Sequence, residues 1–293
     1  MNWDDVRIFL AIARSGQILG AARALGLNHA TVARRLDTLE AALGARLVAR
    51  HTHGSELTSE GERFLAHAER MESEMLAASE TAGSEAAGVS GTVRVGAPDG
   101  FGVAFLAPRI GELAERHPDL TIELVPVPRA FSLSRREADI AVTLERPREG
   151  RLVARKLTDY RLGLYAGRTY LDRHDTPASV DDLAAHRLVG YVEDLLFSAS
   201  LDYTGEFSRS WHSSIAISSA MGQTEAVRAG AGIGILHAFM ARRDPDLIPV
   251  LPEHGLTRSY WTVVHEDLRA IRRVALVSEF LAEIVERDRA IFG

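Results

Sequence analysis

The chain has 293 residues, of which 46% are apolar and 25% charged, with a formal net charge of −6 and no cysteine. That length calls for two or three globular domains, and the missing cysteines exclude a disulfide framework, a thiolate-held zinc and a cysteine nucleophile. The opening MNWDDVRIFL lacks a basic region followed by an apolar one, and no run nears about 18 apolar residues. The expectation is a cytoplasmic chain with no membrane partner.

In chain order, Val6, Phe9, Leu10 and Ala13 recur at helical spacing and predict an amphipathic helix over 4–15, ended by Ser15-Gly16. Ile18, Ala21, Ala22 and Leu25 predict a second helix over 18–25, after which Gly26 turns the chain. Asn28 is a good N-cap for a third helix over 29–43, with Val32, Leu36, Leu39 and Leu43 as its buried stripe. Short helices joined by a tight turn form a helix-turn-helix, whose second helix lies in the major groove of duplex DNA.

From Arg23 to Arg50 the chain carries Arg23, Arg34, Arg35, Arg46 and Arg50 against Asp37 and Glu40. A locally basic element on an acidic protein lets one face meet phosphates, although a solvated helix face has the same composition. Asn28, His29, Ala30, Thr31, Ala33, Arg34 and Arg35 make the candidate DNA surface of the third helix. His29 and Arg34 are its candidate base readers, because the start of a recognition helix meets base edges and arginine bonds guanine bidentately. Arg35 and Arg50 are candidate phosphate contacts. The run RLVARHTHGSELT from Arg46 predicts two short strands around a turn, a wing that adds His53 to the DNA surface. His51 and His53 have no evident third ligand, so no metal is expected.

Phe64, Ala68, Met71, Met75 and Ala78 recur every 3.5 residues and predict a linker helix within 59–88. That stripe suits a seam with a second copy of the chain or packing on its own domain. Its length and its small, flexible residues favour the seam, and helix-turn-helix proteins read paired half-sites as dimers. Ala82 to Gly88 then marks a boundary.

Beyond it, strands at 92–96, 121–127, 140–144, 161–166, 188–191, 215–217, 232–236 and 260–264 alternate with helices near 101–116, 180–185, 219–230 and 268–288. This pattern predicts an α/β region with a largely parallel sheet. Ligands in such folds sit at carboxyl ends of strands, beside helix N-termini. Asp99, Gly100 and Phe101 follow the first strand, and Ser218 and Ser219 follow the strand at 215–217. Asp99 and Ser218 serve equally well as caps of their own helices. Thr143, Phe197 and Ser198 are further candidates. Gly230, Gly232 and Gly234 follow a helix and precede a strand, the reverse of a dinucleotide fingerprint, and read as a helix end and turn. No catalytic constellation emerges and no cofactor is expected. An enzyme with a DNA-binding appendage lacks a site, and a transport receptor has no use for residues 1–58.

The spacing of several motifs resembles the LysR-type transcriptional regulators. In the first third these are FLAIA from Phe9, Ser15-Gly16, AARAL from Ala21, the stripe from Val32 to Leu39 with Arg34, Leu39-Glu40, Leu43-Gly44, Arg46-Leu47, Arg50, Leu57-Thr58 and Gly61. Later come GTVRVG from Gly91, HPDL from His117, READIAV from Arg136, DDLAAHRLV from Asp181, AGAGIGIL from Ala229 and HEDLR from His265. The resemblance implies a winged helix-turn-helix over 1–58, paired linker helices over 59–88, and an effector domain over 89–293. That domain is expected to have two periplasmic-binding-protein-like lobes, about 91–145 plus 266–293 and about 163–264, with a small-molecule effector in the cleft. It also implies dimers of dimers and RNA polymerase as a further partner. The family's usual Ser-Gln is Asn28-His29 here, its usual Phe before the wing is Val48, and a frequent wing Arg is His53. Many members carry Ser or Thr where this chain has Gly100 after Asp99. An acid there opposes an anionic effector, so a neutral or cationic one is expected.

Overall fold

The computed structural model describes residues 2–51, 54–82, 88–131, 133, 137–209 and 211–293, with backbone alone at 76, 77 and 79–82. The described residues form two compact units, the first comprising those up to 82 together with Glu137 and the second the rest from 88 onward.

The first unit opens with α1 (Trp3–Ser15), α2 (Ile18–Leu25) and α3 (His29–Leu43). The Asn28 side chain accepts from Thr31 N at 2.7 Å and so starts α3, while Gly44 ends it in the left-handed conformation at φ 66°. Strands β1 (Val48–His51) and β2 (Gly54–Leu57) pair antiparallel as the wing, and α4 (Ser59–Ala82) follows. Val6, Phe9, Leu10, Val32, Leu36 and Leu39 are fully buried together. Each side chain of that size contributes about 1.5–3 kcal/mol through burial.

Phe64 packs edge-on against Phe9 with ring centroids 5.2 Å apart, Ala68 is fully buried, and Met71 packs on the same core. Arg14 and Glu72 further tie α1 to α4 through paired hydrogen bonds of 3.1 and 2.5 Å. The expected seam therefore needs correction at Phe64, Ala68 and Met71. A 3.5-residue stripe says only that one face is buried, and here the helix's own domain buries it. Met75, half exposed, and Ala78, exposed, lie beyond that contact. The expected boundary residues 83–87 lie outside the described residues.

The second unit opens with β3 (Gly91–Ala97) and α5 (Asp99–Phe101), which continues as a π-helical turn over Gly102–Leu106. Next come α6 (Ile110–Arg116), β4 (Leu120–Pro126), β5 (Ile140–Thr143), the long β6 (Leu152–Gly167), α7 (Arg168–Leu171) and β7 (Leu188–Gly190). Then follow α8 (Thr204–Phe207), β8 (Ser213–Ala216), α9 (Ala220–Arg228), β9 (Ile233–His237) and α10 (Ala238–Ala241). The nineteen-residue β10 (Leu247–His265) and α11 (Arg272–Arg287) close the chain. The single helix expected over 101–116 is broken at Pro108, which has no N–H to donate.

All eight strands form one sheet in the order β4-β3-β5-β10-β6-β9-β7-β8. The expectation of a largely parallel sheet holds only at its two ends. There β3 pairs parallel with β4 and β5, and β7 pairs parallel with β8 and β9. Between them β6 and β10 run antiparallel to each other and join the halves. The ladder between them is interrupted between Val250 and Gly255, where Leu251 adopts a left-handed φ of 47°. The fold is a winged helix-turn-helix followed by a two-lobed α/β domain.

Candidate functional site

The start of α3 is exposed at His29, Ala30 and Arg34, with Thr31 and Ala33 partly covered. Among the described residues, no acid lies within ion-pair distance of the Arg34 guanidinium. Arg35 differs from expectation: it reaches back to α1, 3.2 Å from buried Asp5 and 3.8 Å from Asp4. It clamps two helices rather than projecting toward a backbone. Asn28 spends its side-chain oxygen on the helix cap. Arg50, on β1, meets Asp37 at 2.6 Å in an exposed pair that water and salt weaken. His53 lies outside the described residues.

The wing is held by a residue to which sequence reasoning gave no structural role. Glu40 is buried on α3. Its Oε1 accepts from the backbone N–H groups of Leu47 and Val48 at 2.8 and 3.1 Å, and its Oε2 accepts from Arg46 at 2.7 Å. A buried carboxylate so partnered fixes where β1 leaves the recognition helix. Its signal in sequence was an acid one place after the buried-stripe residue Leu39.

In the second unit, the candidate effector residues gather between the two halves of the sheet. Asp99, at the end of β3, is buried, but it does not cap its own helix. Its Oδ2 accepts from Ser219 Oγ at 2.6 Å and from Met221 N at 3.1 Å, so it sits at the N-terminus of α9 in the other half. Ser219, rather than Ser218, caps α9, its oxygen accepting from Gly222 N at 3.1 Å. At Gly100, an added Cβ would stand 3.2 Å from the Ala220 Cβ and 3.3 Å from the Met240 sulfur. The glycine serves close approach of the two halves.

Phe101 needs correction. It is fully buried against Phe105, Tyr260 and Phe292, with centroids 5.1, 4.8 and 6.4 Å away, and belongs to the core. Thr143 donates to the Glu145 carbonyl at 2.7 Å. Ser198 donates to Glu145 Oε1 at 2.5 Å, and Ser200 adds its N–H and hydroxyl, each at 2.9 Å. Those hydrogen bonds, Ser198's foremost, hold the Glu145 carboxyl below the usual range. A pocket of about 170 Å³ lies between these groups, lined by Pro98, Arg129, Phe131, Thr143, Phe197 and Ser198 among others.

Beneath Asp99 lies an aromatic cluster that sequence reasoning missed. Tyr160 of β6 stacks on Tyr260 of β10 at 4.1 Å and on His237 at 5.1 Å. Burial holds the His237 imidazole down to about 4, with the Asp99 charge opposing it, so the ring is neutral near pH 7. Burial likewise raises the Tyr160, Tyr191 and Tyr203 hydroxyls. The Tyr260 hydroxyl is buried with no hydrogen-bond partner. His237 was visible as the one polar end of the apolar run Ile233–Leu236. Among the described residues no three His, Asp or Glu side chains gather as a metal site, and no helix is long and apolar enough to cross a membrane.

Comparison with known proteins places this geometry. A family model described as the LysR substrate binding domain matches residues 86–286, and one for bacterial regulatory helix-turn-helix proteins of the lysR family matches residues 3–62. An HTH-type transcriptional regulator of Xanthomonas campestris is 32% identical over 184 residues, spanning 63% of this chain and about half (54%) of that protein. The regulator CrgA of Neisseria meningitidis is 30% identical over 290 residues, 96% of each chain. Its solved structure aligns with a TM-score of 0.59 at 27% identity, covering 97% of this chain and 98% of that one. The Vibrio cholerae virulence activator AphB aligns with a TM-score of 0.59 at 25% identity, covering 97% and 99%.

Proposed function

This chain belongs to the LysR family of helix-turn-helix transcriptional regulators, and from that premise we propose how its parts divide the work. Residues 1–58 bind operator DNA, residues 59–88 join two copies, and residues 89–293 take a small-molecule effector. The effector domain's lobes comprise about 91–145 with 266–293 and about 163–264, and the cleft is the one bridged by Asp99 and Glu145. Arg34 and His29 read base edges, with Ala30, Thr31 and Ala33 close to the groove and His53 as a further DNA contact. Arg50 meets phosphate by exchanging Asp37 for the backbone. Asn28 and Arg35 set the position of the recognition helix. The observation that carries this reading is an exposed arginine that meets no acid among the described residues, one turn into a helix whose cap and wing are both pinned.

Arg34→Ala is expected to weaken operator binding by about 1–3 kcal/mol and relax preference at one base per half-site. Arg50→Ala should weaken all sequences alike and flatten the dependence of log affinity on log salt by about one unit. Titrating a panel of single-base operator variants at several salt concentrations separates the two roles. Unchanged preference in Arg34→Ala counts against base reading.

Two heads reading paired half-sites require a dimer, and the dimer pairs again as a tetramer. Met75 and Ala78, both exposed on α4, supply the first contact. Met75→Glu is expected to shift light-scattering mass toward the monomer. Met71 is left unchanged in that variant because it packs on its own head. An unaltered mass would move the interface elsewhere. Effector binding changes the relation of the two lobes, and hence the spacing of the heads on DNA and their presentation to RNA polymerase. Coupling requires that the effector's affinity differ between the DNA-bound arrangements.

A further inference from the structure

Two carboxylates from one half of the effector domain reach across the cleft and end on donors of the other half. Asp99, leaving β3, accepts from Ser219 Oγ and Met221 N at the start of the nine-residue α9. Glu145, leaving β5, accepts from Ser198 Oγ, Ser200 N and Ser200 Oγ. Pro98, next to Asp99, and Glu145 both line the pocket of about 170 Å³, so the two ties flank it. Asp99 is the inner, buried tie, and Glu145 is the outer, exposed one.

A helix N-terminus offers free N–H groups and positive potential, which an anion satisfies. Here the anion is a side chain of the protein itself. It is fixed in place by the Ser219 hydroxyl, whose oxygen is already engaged by Gly222 N. Gly100 permits the approach, because any side chain there would press on Ala220 and Met240. The neutral His237 ring beneath supplies no competing positive charge.

We propose that Asp99 is a tethered anionic ligand for α9, which with Glu145 latches the two lobes together. The inference rests on reading this cleft as the effector site. A free carboxylate then finds the α9 N-terminus taken, and effectors are restricted to compact molecules that enter between the two ties. Signalling then requires loosening the latch, because the two ties close the cleft that an effector has to enter.

The test uses the full-length chain and formate, which replaces the carboxylate lost in Asp99→Ala. In the unaltered protein the Met221 amide is expected to exchange slowly with solvent, and millimolar formate should change neither that rate nor Tm relative to chloride. In Asp99→Ala the Met221 amide should exchange faster. Formate, but not the neutral formamide, should restore protection and raise Tm by about 2–4 °C. In Asp99→Ala/Ser219→Ala that gain should be lost. Should Asp99→Ala not fold, Asp99→Asn keeps the volume and removes the charge, and its Tm is expected to fall below that of the unaltered protein. Formate acting equally on the unaltered protein, no formate-specific gain in Asp99→Ala, or an Asn variant as stable as the parent would each overturn the proposal. None of these readouts involves DNA or an effector, so an error in the regulator reading is scored separately by operator binding.

Discussion

Gly61→Ala is expected to abolish operator binding while leaving the second unit folded. Gly61 lies in the first turn of α4, and an added Cβ would stand 2.0 Å from the Leu47 carbonyl oxygen and 3.0 Å from its carbon. These are backbone atoms, so no rotamer change relieves the contact. The same carbonyl already accepts from Thr58 N at 3.0 Å, and Thr58 Oγ1 accepts from Gly61 N at 3.0 Å while donating to the Arg46 carbonyl at 2.6 Å. The junction of wing and α4 is therefore pinned on several sides, and one methyl has to move the wing off Glu40. Overpacking of this kind costs about 1–3 kcal/mol and more where nothing yields. Fluorescence anisotropy on labelled operator, beside circular dichroism, checks it. Parental DNA affinity in the variant would mean that the wing can shift without consequence.

Phe101→Ala is expected to destabilise the second unit by about 3–5 kcal/mol, the usual effect of emptying a fully buried aromatic site. The ring is wedged among Phe105, Tyr260 and Phe292, and those rings cannot all collapse into the space. Chemical denaturation followed by fluorescence measures the loss. An unchanged midpoint accompanied by a lost effector response would place Phe101 in the ligand pocket instead of the core.

These two positions show where the chain was legible and where it was not. The limits of α3 were readable because both of its signals are local: the Asn28 cap acts within three residues and Gly44 ends the last turn. Leu43, expected in its buried stripe, is 37% exposed, because the stripe runs out before the helix does. The linker period was real, but periodicity does not name the partner. Phe64, Ala68 and Met71 turned out to face Phe9 and its neighbours within the same head. The two long crossing strands were half seen. Lys156 and Asp159 of β6 and Glu253, His254 and Thr257 of β10 are polar and exposed, so the apolar alternation is interrupted along both strands. Arg35 and Asp99 both drew notice in the sequence, Arg35 as a phosphate contact and Asp99 as a ligand or cap at a helix start, but the partners they meet lie 30 and 120 residues away. No local pattern encodes such distances. His237 went unremarked for the same reason, since only the fold brings it under Asp99 and against Tyr160.

The central claim is that α3 reads specific DNA through Arg34. Its most direct test is selection of genomic fragments by the purified protein at fixed, near-physiological salt, beside an Arg34→Ala control that leaves the Arg35 clamp intact. Enrichment of a few promoter fragments sharing an inverted repeat, lost in the control, is the predicted result. Enrichment that survives Arg34→Ala unchanged, or none at any salt concentration from folded protein, would contradict it.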